Sequence, residues 1–148
     1  MVQFGFYLGE RDWWIMGFLD IKGEKDLSKT YGTLLASGCP DYKAQEACMI
    51  LSRENTGYTY TDFDAHTSLF FVSRATSAEQ MFDSILHEVK HLTEHISEYY
   101  GLNPKEELSA YLQGELGRKL FPAASIVLCP HCNEYDYENN VREYRQLR

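Results

Sequence analysis

The chain has 148 residues, 44% of them hydrophobic and 14% aromatic, and carries a formal net charge of −8. That length suits one domain with its own core, and the aromatic content excludes a disordered chain. The acidic balance contains no basic cluster to neutralise phosphates, so nucleic acid is excluded as an expected partner.

The N-terminal stretch "MVQFGFYLGERDWWIMGFLD" has no positive leader region, and Glu10, Arg11 and Asp12 interrupt its apolar run. No export or membrane signal is read, so a cytoplasmic location without a membrane partner is the default expectation. Within the stretch, "QFGFYLG" and "WWIMGFLDI" read as aromatic-rich strands joined across the polar turn. The second is apolar on both faces, which predicts a central, buried strand. Residues 26–37 and 42–53 read as helices separated by the Gly38-Cys39-Pro40 break, and "GYTYTDF" and "TSLFFVS" as a further strand pair.

A Ser77-to-Gln80 capping box opens the next helix, with Phe82, Ile85, Leu86, Val89, Leu92 and Ile96 as one apolar stripe. Gly101 ends it. Asn103-Pro104 then predicts a second helix running to about Phe121, where Pro122 interrupts it. After Cys132 the composition turns polar, which gives one domain over residues 1–132 and a charged extension over 133–148.

The first of these two helices carries "LHEVKHLTEH". His87 and His91, four apart, project from one helix face and can both reach a zinc ion at about 2.0–2.1 Å, with Glu88 beside them as general base for an activated water. His95 is two turns from His87, about 12 Å along the axis, so it cannot share that ion; it is read as a supporting or cleft residue, or an exposed polar position. The third ligand is sought in "NPKEELSAYLQGELG". Asn103 and Glu106 have the spacing of a reciprocal cap, which accounts for Glu106 without metal. Glu107 shares a face with Ala110, Tyr111 and Gly114, and a helical glycine suggests close approach of another backbone. That face is therefore set against the HExxH helix, with Glu107 as preferred ligand over Glu106.

HExxH on one helix and ExxAY at Glu107–Tyr111 on the next resemble the gluzincin branch of zincin-like metallopeptidases, in particular small single-domain members from bacteria, phages and mobile elements. The similarity covers residues 77–132. It implies an α+β, zincin-like fold in which a small mixed or antiparallel sheet packs on the HExxH helix and the following glutamate-bearing helix. It also implies zinc as cofactor, hydrolysis of peptide or protein substrates, and an edge strand, assigned to "TSLFFVS", that pairs with an extended peptide. Tyr111 stands where the family has a supporting acidic residue; steadying a ligand, polarising the substrate carbonyl and packing in the core are its alternative uses. The competing expectation is a zincin-fold binding or regulatory module that keeps zinc without useful turnover. Oligomeric state is left open.

"LCPHC" gives Cys129 and Cys132 half of a zinc-knuckle pattern, which Cys39 and Cys48 could complete as a second zinc site. The plainer expectation is four thiols in a reducing compartment.

Overall fold

A computed structural model describes residues 1–129. The two aromatic-rich segments form β1 (Val2–Leu8) and β2 (Trp13–Ile21), an antiparallel pair joined by a 3-10 turn at Gly9–Arg11. Asp12 closes this turn at φ 49°. After α1 (Gly23–Ala36) and α2 (Asp41–Leu51), the chain returns through β3 (Gly57–Asp62) and β4 (Thr67–Ser73). The sheet order is β1-β2-β4-β3, with β2 and β4 parallel and both outer pairs antiparallel. The described residues are therefore α+β, with a four-stranded mixed sheet and four α-helices.

Both sheet faces are covered. Leu69 and Phe71 of β4 meet Leu34, Ala44, Ala47 and Leu51 of α1 and α2, while Phe70 and Val72 meet the other pair of helices. An apolar run with side chains to both sides must lie inside a sheet covered twice, and β4 does. This overturns the expectation that "TSLFFVS" is the edge: the edge strands are β1 and β3, and every residue of β3 is only half-buried. In β2, Trp13, Ile15 and Leu19 share one face by period two, yet Phe18 and Ile21 both face α1 and α2. A register shift between Phe18 and Ile21, with Asp20 at φ 60°, changes the parity and makes this possible.

α3 (Ala78–Tyr100) begins as expected: Ser77 Oγ accepts the Gln80 amide at 3.1 Å, and Gly101 ends the helix at φ 64°. Its buried stripe holds Ile85, Val89, Leu92 and Ile96, joined by Met81. Phe82 and Leu86 are instead about half exposed, because they lie toward the second helix of the pair rather than beneath the sheet.

α4 departs from expectation at both ends. It spans Glu107–Leu128, beginning four residues after Asn103. Asn103 closes a local turn: its Oδ1 accepts the Lys105 amide, and its carbonyl accepts the Glu106 amide, each at 3.0 Å. Pro122 does not end the helix. It sits on the exposed side, while Leu120, Ala123, Ala124 and Val127 continue the buried stripe that holds the helix on the sheet. Residues 130–148, including His131, Cys132 and the extension over 133–148, lie outside the described residues. Among the described residues, no helix is long and apolar enough to cross a membrane.

Candidate metal centre

The α3 surface has two working flanks. One meets α4, where Ser97 Oγ lies 3.2 Å from Ser109 Oγ. The other meets β3, where Thr59 Oγ1 donates to Glu88 Oε2 at 2.6 Å and Thr61 Oγ1 lies 2.9 Å from His95 Nδ1. At about 100° per residue, His91 stands about 60° from Glu88 and about 120° from Ser97 around the helix. His91 thus lies nearer the β3 side, while His87, about 100° from Glu88 and about 80° from Ser97, stands between the two flanks.

The Nε2 atoms of His87 and His91 are 3.0 Å apart. Two nitrogens at about 2.0–2.1 Å from one zinc ion would be about 3.3 Å apart at the tetrahedral angle, so the pair needs only a small ring adjustment to share an ion. Ligand atoms of His87, Glu88 and His91 all lie within 4.8 Å of one another. His87 is exposed, His91 half-buried and Glu88 buried, which gives an accessible donor pair above a sheltered carboxylate. Imidazole and carboxylate donors on one helix face suit zinc.

Glu88 is sheltered because β3 leaves room for it. A Cβ on Gly57 would stand 2.4 Å from Glu88 Cγ and 2.6 Å from its Oε1. Burial pushes the Glu88 carboxyl above the usual carboxylate range, while the Thr59 hydroxyl and the nearby His91 and His87 pull it back down. Oε1 accepts no hydrogen bond, yet it is not sealed from solvent.

Gly57 and Thr59 were not singled out by sequence reasoning, although their signal is visible. In "GYTYTD" the alternation puts Gly57, Thr59 and Thr61 on one face, small or hydroxyl-bearing, and Tyr58 and Tyr60 on the other, against the α1–α2 core. This packing makes a stability prediction. Gly57→Ala should cost about 1–3 kcal/mol by overpacking against Glu88. Adding Glu88→Ala should recover much of it, because the obstructing side chain is gone. Melting curves of the wild type, both single variants and the double variant should yield a favourable coupling of about 1 kcal/mol or more; strict additivity would show that Glu88 does not lie over Gly57.

The expected α4 contribution is not assembled. Glu107 and Glu106 are exposed, and neither joins the histidine group. Ser97, which registers α4 against α3, lies six residues beyond His91, about 9 Å along the axis, and Glu107 precedes Ser109 and so lies farther still. The predicted face is not packed closely either: Ala110 and Gly114 are exposed and line an open apolar groove with Phe82, Leu86 and Val89 of α3, Tyr111 is 71% exposed, and a Cβ on Gly114 would meet nothing within 4 Å. Leu112, Leu116 and Leu120 form the buried stripe instead, their apolar area outweighing the packing expected of one glycine. Tyr111 therefore does not pack in the core.

The cysteines are also apart. Cys39 and Cys48 lie in the α1–α2 layer, with their thiols directed to the carbonyls of Pro40 and Leu27, and burial raises both thiols above their ordinary range. Cys129 follows α4 on the opposite side of the sheet, and Cys132 is outside the described residues. Among the described residues, no cysteine cluster accompanies the histidine group.

His95 is half-buried on the β3 flank, its ring 6.1 Å from that of Phe63. Burial, reinforced by His91, lowers its pKa against the opposing pull of Glu98 and Glu94. Set beside known proteins, the chain matches no family model, no curated protein and no solved structure.

Proposed function

We propose that the chain is a zinc-dependent hydrolase that cleaves peptide bonds, with His87 and His91 holding the metal and Glu88 as general base. The observation that carries this reading is the 3.0 Å separation of the two imidazole nitrogens beside a buried carboxylate. A zinc ion held there supplies a Lewis acid and lowers the pKa of a coordinated water to about 7. Thr59 fixes Glu88 through Oε2, so Oε1 is the oxygen that takes the water's proton and later returns it to the leaving amine.

The β3 edge supports the same reading. β3 lies directly against the HExxH flank of α3 and, among the described residues, has no strand on its outer side, as the resemblance to zincin-like metallopeptidases requires of a strand that pairs with an extended substrate.

The test is zinc titration of the purified protein followed by digestion of a diverse peptide library. Zinc binding should be lost in His87→Ala and in His91→Ala, while Glu107→Gln should keep it, since Glu107 lies outside the histidine group and beyond Ser97 along the axis. Loss of zinc in Glu107→Gln would show that the start of α4 reaches the pair. Zinc binding with no cleavage of any peptide would favour the regulatory-module reading instead.

A further inference from the structure

A chain of hydrogen bonds runs from the core to His95. The Trp13 indole Nε1 is 2.9 Å from Ser68 Oγ, Ser68 Oγ is 2.8 Å from Thr61 Oγ1, and Thr61 Oγ1 is 2.9 Å from His95 Nδ1. An indole N–H can only donate, so the proton direction at the first link is fixed. Ser68 is fully buried and, among the described residues, its hydroxyl has no partners other than Trp13 and Thr61, so its own proton goes to Thr61. Thr61 then has one proton left to give and one acceptor left to receive it, His95 Nδ1. The ring is thereby neutral, with its proton on Nε2.

That Nε2 has no partner among the described residues, and it is not among the side-chain atoms sealed from solvent without one. It belongs to the same α3 flank as Glu88, four residues beyond His91, or about 6 Å along the axis. Phe63 lies beside the ring, 6.1 Å between centroids.

We propose that His95 is a catalytic residue whose Nε2–H, held by the Trp13-Ser68-Thr61 relay, donates a hydrogen bond to a carbonyl oxygen of the bound peptide beside the bond being cut. This rests on the hydrolase reading above. A donor oriented in advance stabilises negative charge as it develops on that oxygen without reorganising during reaction. The relay explains why a tryptophan, a serine and a threonine from three strands converge on one ring. It also gives the third histidine of "LHEVKHLTEH" a task that needs no metal.

The experiment uses full-length, zinc-loaded protein labelled with ¹⁵N at histidine. Long-range ¹H–¹⁵N correlation, with His95 assigned through His95→Gln, should show a neutral ring protonated at Nε2. In Thr61→Val, Nδ1 loses its donor and this preference should collapse. In peptide cleavage, His95→Asn, which places its amide near the Nδ1 position, should lower kcat/KM about tenfold to hundredfold. His95→Gln, whose amide nitrogen reaches the Nε2 position and can still donate, should lose several-fold less than His95→Asn, with equal zinc content in both. A ring protonated at Nδ1 or doubly protonated, or equal losses in the two variants, would overturn the donor while leaving hydrolysis intact. Absence of cleavage in the wild type would overturn the hydrolase reading and, with it, the carbonyl acceptor.

Discussion

Glu88→Gln is expected to keep zinc and fold but to lose about 10²- to 10⁴-fold in peptide hydrolysis. The amide has the same shape, so it fits over Gly57 and can still accept the Thr59 hydroxyl's hydrogen bond through its carbonyl oxygen. What it cannot do is take a proton. His87 and His91 are untouched, and their 3.0 Å spacing is a property of the helix rather than of the carboxylate. Zinc per chain, thermal melting and turnover of one cleaved peptide, measured together, separate a lost base from a lost site. Undiminished turnover at full zinc loading would remove Glu88 from the chemistry.

The largest stability loss is expected in Gly17→Ala. A Cβ there would stand 1.7 Å from the Phe70 carbonyl oxygen and 2.7 Å from its carbon, both backbone atoms of the neighbouring parallel strand. A flexible side chain could swing away, but the β4 backbone cannot retreat without breaking the ladder between Trp14–Phe18 and Thr67–Phe71. The cost should be about 4 kcal/mol or more, in the range reserved for a damaged core. Melting should fall by on the order of 10–20 °C. Gly114→Ala is the control: it sits mid-helix with nothing near its Cβ and should stabilise by about 0.5–1 kcal/mol. A melting temperature within a few degrees of wild type for Gly17→Ala would contradict the close strand approach.

These two glycines illustrate what the sequence does and does not reveal. β2 and β4 are legible as segments because their apolar content has only one economical placement, inside a sheet covered on both faces. The Ser77 cap, the Gly101 stop and the histidine pair are legible because each is local, fixed by residues within two helical turns. Which strands form the edges is a pairing decision among distant segments: the apolar run of β4 tells that both its faces are covered, but not which strands flank it. The α4 face was misread for a related reason: one glycine was weighed above the leucines at 112, 116 and 120. The Thr59 and Gly57 contacts with Glu88 join positions about thirty apart, and only the fold brings them together.

The parallel pairing of β2 with β4 has a kinetic consequence. Trp14 lies opposite Thr67, about fifty positions later, with α1, α2 and β3 emerging between them. A hairpin such as β1–β2 can close early, but this central ladder must await the closure of a long loop, whose entropy is lost before the contacts form. During synthesis the N-terminal hairpin therefore waits with the apolar faces of β2 uncovered until β4 arrives. The HExxH helix comes later still, so the histidine face and the β3 residues that complete it meet near the end of folding, when most of the sheet exists to receive them. A slow refolding phase governed by this crossover should control the recovery of zinc binding as well as of structure.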